Sequence, residues 1–207
     1  MRCLFIDSLR FGSEKKRIAT LTIKVLLTTS KPVKVTVAIF LFLLTFTSPL
    51  SASTRIQDVE VGFSPGRTAQ QIILLAIEEA KTSIDIAAYS FTSKPIALAL
   101  VDAQNRGVNV RVVADKKSNG GKYTAVTYLA NHSVPVRLND KYAIMHNKFM
   151  IVDGHSIETG SFNYTKSAAF RNAENVIYLR NRPDIAEKYT REFNRLWSEA
   201  MDTKPTY

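Results

Sequence analysis

The sequence predicts an α/β domain in which a mixed or largely parallel sheet is sandwiched between helices. Three observations carry that expectation. Strand-like and helix-like patterns alternate along the roughly 154 residues that follow position 53, the order that builds a sheet with helices on both faces. Phe149-Met150-Ile151-Val152 is a short apolar run with no polar gap, as a strand covered on both faces requires. Ile185, Tyr189, Phe193, Leu196, Trp197 and Ala200 recur at helical spacing, which makes them a packing stripe rather than a row of platforms for bases.

The elements follow in order. Val59 to Phe63 has strand character and is closed by Ser64-Pro65-Gly66. Thr68 to Ala80 is a strongly apolar helix whose buried face is expected at Ile72, Leu75, Ala76 and Ile77. Ser83 to Tyr89 is a strand, Lys94 to Asn105 a helix, Val108 to Ala114 a strand, Tyr123 to Ala130 a helix and Val134 to Leu138 a short strand. Between them Lys116 to Lys122 is basic and glycine-containing, a flexible loop able to track a nucleic-acid backbone or simply a solvated turn. Asn175 to Leu179 is a further strand, and Asp184 to Ala200 a helix that starts behind Pro183 with an acidic first turn.

The front of the chain has a different character. Val35 to Phe46 is an uncharged, mostly apolar run of twelve, preceded by Lys24, Lys31 and Lys34 and followed by small residues up to Ser53. Basic, apolar and small segments in that order are the pattern of a secretory signal. The run falls short of the ~20 residues of a comfortable membrane span. Residues 1–53 are therefore expected to be a leader cleaved near Ala52-Ser53, with residues 54–207 the mature domain and a periplasmic or secreted location; an uncleaved anchor is the alternative. The one cysteine, Cys3, lies in the leader, so no disulfide is needed. Of the net charge of +10, residues 1–52 supply +6 and the remainder +4. That remainder gives mild support for a nucleic-acid partner.

The chemistry is concentrated in residues 146–163. His146 and Lys148 are two apart at the entry to the buried run, so on an extended chain they share a side. An imidazole beside an ammonium makes a poor core and a good site for an anion. Asp153 has the opposite parity to both, which assigns it a structural role. Gly154-His155 is expected to turn and Ser156 to Thr159 to return as a strand. Gly160-Ser161 permits a close backbone approach, with Ser161 or Asn163 as candidate N-cap of a short helix through Ala169.

Written out, the segment is H-x-K-x4-D-x6-G-S-x-N, carried by His146, Lys148, Asp153, Gly160, Ser161 and Asn163. It resembles the signature of the phospholipase D superfamily at every specified position. In length, element order and single motif, the expected mature domain is similar to the secreted, EDTA-resistant bacterial endonucleases of that superfamily. The resemblance implies the phospholipase D/nuclease-like fold, with Lys148 and Asn163 holding non-bridging phosphoryl oxygens, Ser161 adding a donor, and Asp153 and Gly160 structural. It also implies that Glu174, at the entry to the next strand, orients the catalytic His through its second ring nitrogen. Tyr89-Ser90-Phe91-Thr92 resembles a segment that lines the family's cleft.

Phosphodiester cleavage needs a nucleophile on one side of phosphorus and a proton donor on the other. The superfamily uses two motifs for this, one His being nucleophile and the other general acid. This chain has one motif, and neither His132 nor His155 begins a second H-x-K. A C2 homodimer, with two copies of His146 facing across the axis, is the economical completion. No metal or cofactor is called for: in a metal site built from His146, Asp153 and His155, Lys148 would repel the cation, and Asp153 has the wrong parity. The expected activity is a metal-independent phosphodiesterase acting on DNA or RNA without sequence preference. Phospholipid hydrolysis by the same residues is one alternative, and a non-catalytic nucleic-acid binding protein the other.

Overall fold

The computed structural model describes residues 58–121 and 124–205. The expected leader and its cleavage point lie outside the described residues. An eight-stranded sheet runs through the domain in the order β1-β7-β6-β5-β2-β3-β4-β8. Its strands are β1 (Val59–Ser64), β2 (Ser83–Ala88), β3 (Asn109–Asp115), β4 (Val136–Asn139), β5 (Lys148–Val152), β6 (Ser156–Gly160), β7 (Glu174–Leu179) and β8 (Met201–Asp202). Only β2, β3 and β4 are mutually parallel; every other pairing is antiparallel. The sheet is thus mixed, with its parallel part confined to three strands.

The helices are α1 (Thr68–Glu79), α2 (Lys94–Asn105), α3 (Lys116–Asn119), α4 (Ala125–Asn131), α5 (Lys166–Phe170) and α6 (Pro183–Ser198). One face of the sheet carries α1, α2 and α4 over Ile84, Ile86, Val110, Val112, Met150 and Val152. The other face carries α6, whose Ala186, Phe193 and Leu196 bury against Ala87, Val113, Phe149, Ile151 and Ile157. Strand β5 alternates between these two cores, so both of its faces are dry and its sequence shows no polar gap.

Four local features differ from what the sequence leads one to expect. In α1 it is Ile73 that is fully buried, while Leu75 is only partly covered. Residues 116–119 form a turn of helix instead of a flexible loop: Asp115 caps it, accepting from Ser118 N–H at 2.8 Å. Its lysines are engaged, Lys116 with Asp140 at 2.7 Å and Lys117 with the Ala143 carbonyl at 3.0 Å. The short helix after the motif is capped by Thr165, which accepts from Ala168 N–H at 3.1 Å, and not by Ser161 or Asn163. Strand β8 was not legible in the sequence. It is two residues long, too short to carry a period, and exists through pairing with β4.

Candidate active site

The ends of β2 and β3, the start of β5, the end of β6 and the start of β7 all lie at one end of the sheet, because β5 and β7 run against β2 and β6. That end lies beyond the carboxyl ends of the parallel strands, where α/β sheets present ligand sites. It gathers Tyr89, His146, Lys148, Ser161, Asn163 and Glu174.

His146 stands exposed two residues before β5. Its ring lies against Tyr89, with centroids 4.5 Å apart. The backbone leading to it is held from below: Met145 N–H donates to the buried Asp115 carboxylate at 2.8 Å. Tyr89 is placed in turn by Asn119, whose amide donates to the Tyr89 carbonyl at 2.6 Å and whose Oδ1 accepts from Phe91 N–H at 2.9 Å. One short helix thus fixes both neighbours of the imidazole, through Asp115 and Asn119. Neither residue was singled out from the sequence. The Asp-x-x-Ser spacing of a helix cap at 115–118 was the available signal.

Lys148 opens β5 paired with Ala88 of β2. Its Nζ donates to the His146 carbonyl at 2.8 Å and sits 5.2 Å from the Tyr89 ring centre. Partial burial pushes this ammonium below the usual lysine range, while the negative charge of Glu174 pulls it back up. The partly buried ammonium and the exposed imidazole thus both lie against Tyr89. Asn163 follows the end of β6, and its Oδ1 is buried without a hydrogen-bond partner. A buried amide oxygen left so is costly in a resting core and unremarkable in a site that receives a ligand.

Gly160 is where β6 touches β7. A Cβ there would lie 2.1 Å from the Asn175 carbonyl oxygen. That contact brings Ser161 onto Glu174: the Ser161 hydroxyl donates to Glu174 at 2.6 Å and accepts from Asn175 N–H at 3.1 Å. Ser161 N–H donates to the Asn175 carbonyl at 3.1 Å, so both Ser161 donors are spent within the chain. The second Glu174 oxygen accepts from Asn172 at 2.9 Å. The orienting bond expected from Glu174 to His146 is not made within one chain. Locally, Glu174 is held by Ser161 and Asn172 and acts on the site through its charge.

Asp153 lies at the opposite end of β5, roughly 16 Å of strand from Lys148. It turns with φ 52, and its carboxylate accepts from the backbone N–H groups of Lys81, Thr82 and Ser83 and from the Thr82 hydroxyl, at 2.7 to 3.1 Å. It ties the entry of β2 to the exit of β5. His155 is also at this far end, its ring 2.9 Å from Ser156 Oγ, and the His132 ring bonds the Tyr128 carbonyl at 2.8 Å. The three side chains considered as metal ligands are thus divided between the two ends of one strand. Among the described residues no His, Cys, Asp and Glu cluster has metal-binding geometry. A cavity of about 480 Å³ lies at the far end too, beside Asp153, His155 and the Arg180–Glu79 ion pair, away from His146.

Fold and site together define an α/β protein with an imidazole, an ammonium and an amide converging at one end of a mixed sheet. The chain belongs to the phospholipase D superfamily: residues 73–197 match the family described as cardiolipin synthase, PLD-like domain. It is 38% identical over 132 residues to a phospholipase D of Rickettsia prowazekii, covering 64% of this chain and 64% of that protein. It is 34% identical over 127 residues to the mitochondrial cardiolipin hydrolase of Xenopus tropicalis, covering 61% of this chain and 60% of that one. The match thus spans less than two thirds of either relative. Among solved structures it resembles Nuc of Salmonella typhimurium, a phospholipase D family member, with 42% identity and a TM-score of 0.69 over 70% of this chain and 97% of Nuc.

Proposed function

We propose that this protein is a metal-independent phosphodiesterase that cleaves nucleic acid through a phosphohistidine at the interface of a homodimer. The observation that carries the reading is the convergence of His146, half-buried Lys148 and the unsatisfied Asn163 amide at one end of the sheet. His146 attacks phosphorus; a P–N bond forms as the bond to the leaving oxygen breaks. That oxygen takes its proton from the partner subunit's His146. A water then gives its proton to the same imidazole and attacks phosphorus, the P–N bond breaks, and both rings return to their starting states. Lys148 and Asn163 hold the non-bridging oxygens where negative charge gathers. Ser161 serves by fixing Glu174. With its local bonds made inside one chain, Glu174 is available to orient a ring only where a second site abuts it.

Two copies are required because one imidazole cannot stand on both sides of phosphorus. Hydrolysis of phospholipid is the second reading, supported by the names of the relatives and by Ile144, which is 49% exposed two residues before His146. Nicking of supercoiled plasmid by the purified protein in excess EDTA, beside His146→Ala, separates the readings. Cleavage absent from the control supports the nuclease. No cleavage from a folded dimer, with turnover of phosphatidylcholine micelles, assigns the site to lipid. Binding without turnover in either assay would leave the nucleic-acid binding protein.

A further inference from the structure

Directly beneath the site lies a carboxyl group that the proposed reaction does not use. Glu158 is at the centre of β6, 1% exposed, flanked across the sheet by Met150 of β5 and Tyr178 of β7. Its one hydrogen bond is received from the hydroxyl of Tyr164 at 2.8 Å, itself 1% exposed. Tyr164 belongs to the segment that leaves β6 with Ser161 and Asn163 and enters α5. Its carbonyl accepts from Thr92 N–H at 2.9 Å and from Ser93 N–H at 2.8 Å, and its ring meets Phe91 edge-on at 5.5 Å. Tyr164 thus ties three pieces together: β6 through Glu158, the Tyr89–Ser93 connection through its backbone, and Asn163 through the peptide bond.

The neighbouring amide needs this. Asn163 Oδ1 has no hydrogen-bond partner, and the Asn163 carbonyl bonds only within its own turn, accepting from Thr165 N–H at 2.6 Å. Where that amide stands is therefore decided by what holds Tyr164. We infer that the Glu158–Tyr164 pair is the positioning device of the site, keeping the Asn163 amide in register with His146 and Lys148. The inference rests on the reading in which Asn163 holds a phosphoryl oxygen, and it gives two residues outside the motif a positioning role, neither of them touching the substrate.

Chemistry explains why the anchor is an acid. Burial raises the Glu158 carboxyl to about 8, so at neutral pH it is held as the neutral acid that accepts the Tyr164 proton. The cations on the neighbouring strands are engaged elsewhere. From β7 comes Tyr178, whose hydroxyl donates to Glu79; from α1 comes Glu79, already held by Arg180; from β5 come Met150 and, beyond it toward the site, Lys148, bonded to the His146 carbonyl. Losing the proton buries an anion whose one support is the Tyr164 hydroxyl, and the drive to hydrate that charge opens the packing around the anchor.

The test is turnover of bis(p-nitrophenyl) phosphate, a diester common to both substrate readings, by the full chain from pH 6 to 10. Tyr164→Phe should lower kcat by roughly 10- to 100-fold, as expected for a displaced catalytic group, with KM changed by less than about threefold. Glu158→Gln keeps an acceptor for Tyr164 without an ionisable proton; it should retain neutral-pH turnover and lose the wild-type alkaline fall centred near 8. Wild-type kcat in Tyr164→Phe, or an unchanged alkaline limb in Glu158→Gln, overturns the inference while leaving the phosphodiesterase reading intact. Should the wild-type protein and His146→Ala be equally inert, that reading fails and this role fails with it.

Discussion

Gly160→Ala is the substitution that most directly tests how the fold places the site. The added methyl would stand 2.1 Å from the Asn175 carbonyl oxygen, 2.9 Å from its carbon and 3.0 Å from Val176 Cα. Contacts below 3.0 Å are essentially never made by real Cβ atoms, and all three neighbours here are backbone, so no rotamer change relieves them. Strand β7 must retreat from β6 by roughly 1 Å in a ladder whose normal spacing is about 4.8 Å. Overpacking of this kind costs about 1–3 kcal/mol, and the bond from Ser161 N–H to the Asn175 carbonyl adds about 1 kcal/mol when lost. For a domain of this size a total of about 3 kcal/mol lowers the melting temperature by roughly 6–12 °C. The displacement also pulls Ser161 from Glu174, so activity should fall in protein that is still folded at room temperature. Gly154→Ala is the control: its φ of +68 costs about 1 kcal/mol, but nothing lies within 4 Å of the new methyl. Thermal melts followed by circular dichroism, beside the nicking assay, decide the matter. A Gly160→Ala protein that melts within a degree or two of wild type and keeps its activity would show that the close approach does not position the site.

His146→Ala should abolish turnover, by ~10²–10⁴-fold or more, with an unchanged melting temperature, since the ring is exposed; residual wild-type rates would remove it as nucleophile. Sedimentation should find a dimer, and full activity in a monomer would end the shared-site scheme. Asp153→Ala strips a cap from three backbone N–H groups and should cost about 2–3 kcal/mol in urea unfolding without changing the pH profile of turnover. Glu158 sets a pH dependence of stability. Its folded value of about 8 lies above the ordinary 4.5, so the folded state holds the extra proton and the contribution is fully present below about 4.5. It declines as pH rises toward about 8, by on the order of 1 kcal/mol per unit. Urea titrations at pH 5, 7 and 9 should show that decline in wild type and a flatter profile in Glu158→Gln; parallel profiles would refute it.

The sequence was most legible where function is encoded by spacing. Helix α2 spans the predicted Lys94 to Asn105, and strands β1, β5 and β6 lie within a residue of expectation, because a helical period, a bounded strand pattern and, for β5, an unbroken apolar run are all written in local residue order. Illegible features depend on partners far along the chain. Helix α3 is four residues long with no apolar period, and it is fixed by Asp115 and Asn119 reaching Met145, Tyr89 and Phe91. The N-cap after the motif was misplaced because Ser161 is drawn to Glu174, some thirteen residues on, leaving Thr165 to cap α5.

Taken alone, the sequence determined the chemical groups and their spacing: one imidazole, one ammonium and one amide in a six-position motif, joined to alternating strands and helices. Residue order states which side chains exist and which local period they follow, and that suffices for the superfamily. Strand order was decided only by tertiary structure. Placing β5 between β2 and β6 brings residues 89, 146, 163 and 174 to one end of the sheet and sends Asp153 and His155 to the other. The neutral state of Glu158 likewise belongs to no residue in isolation. It follows from a core in which every neighbouring strand and helix denies a carboxylate both water and a counter-charge.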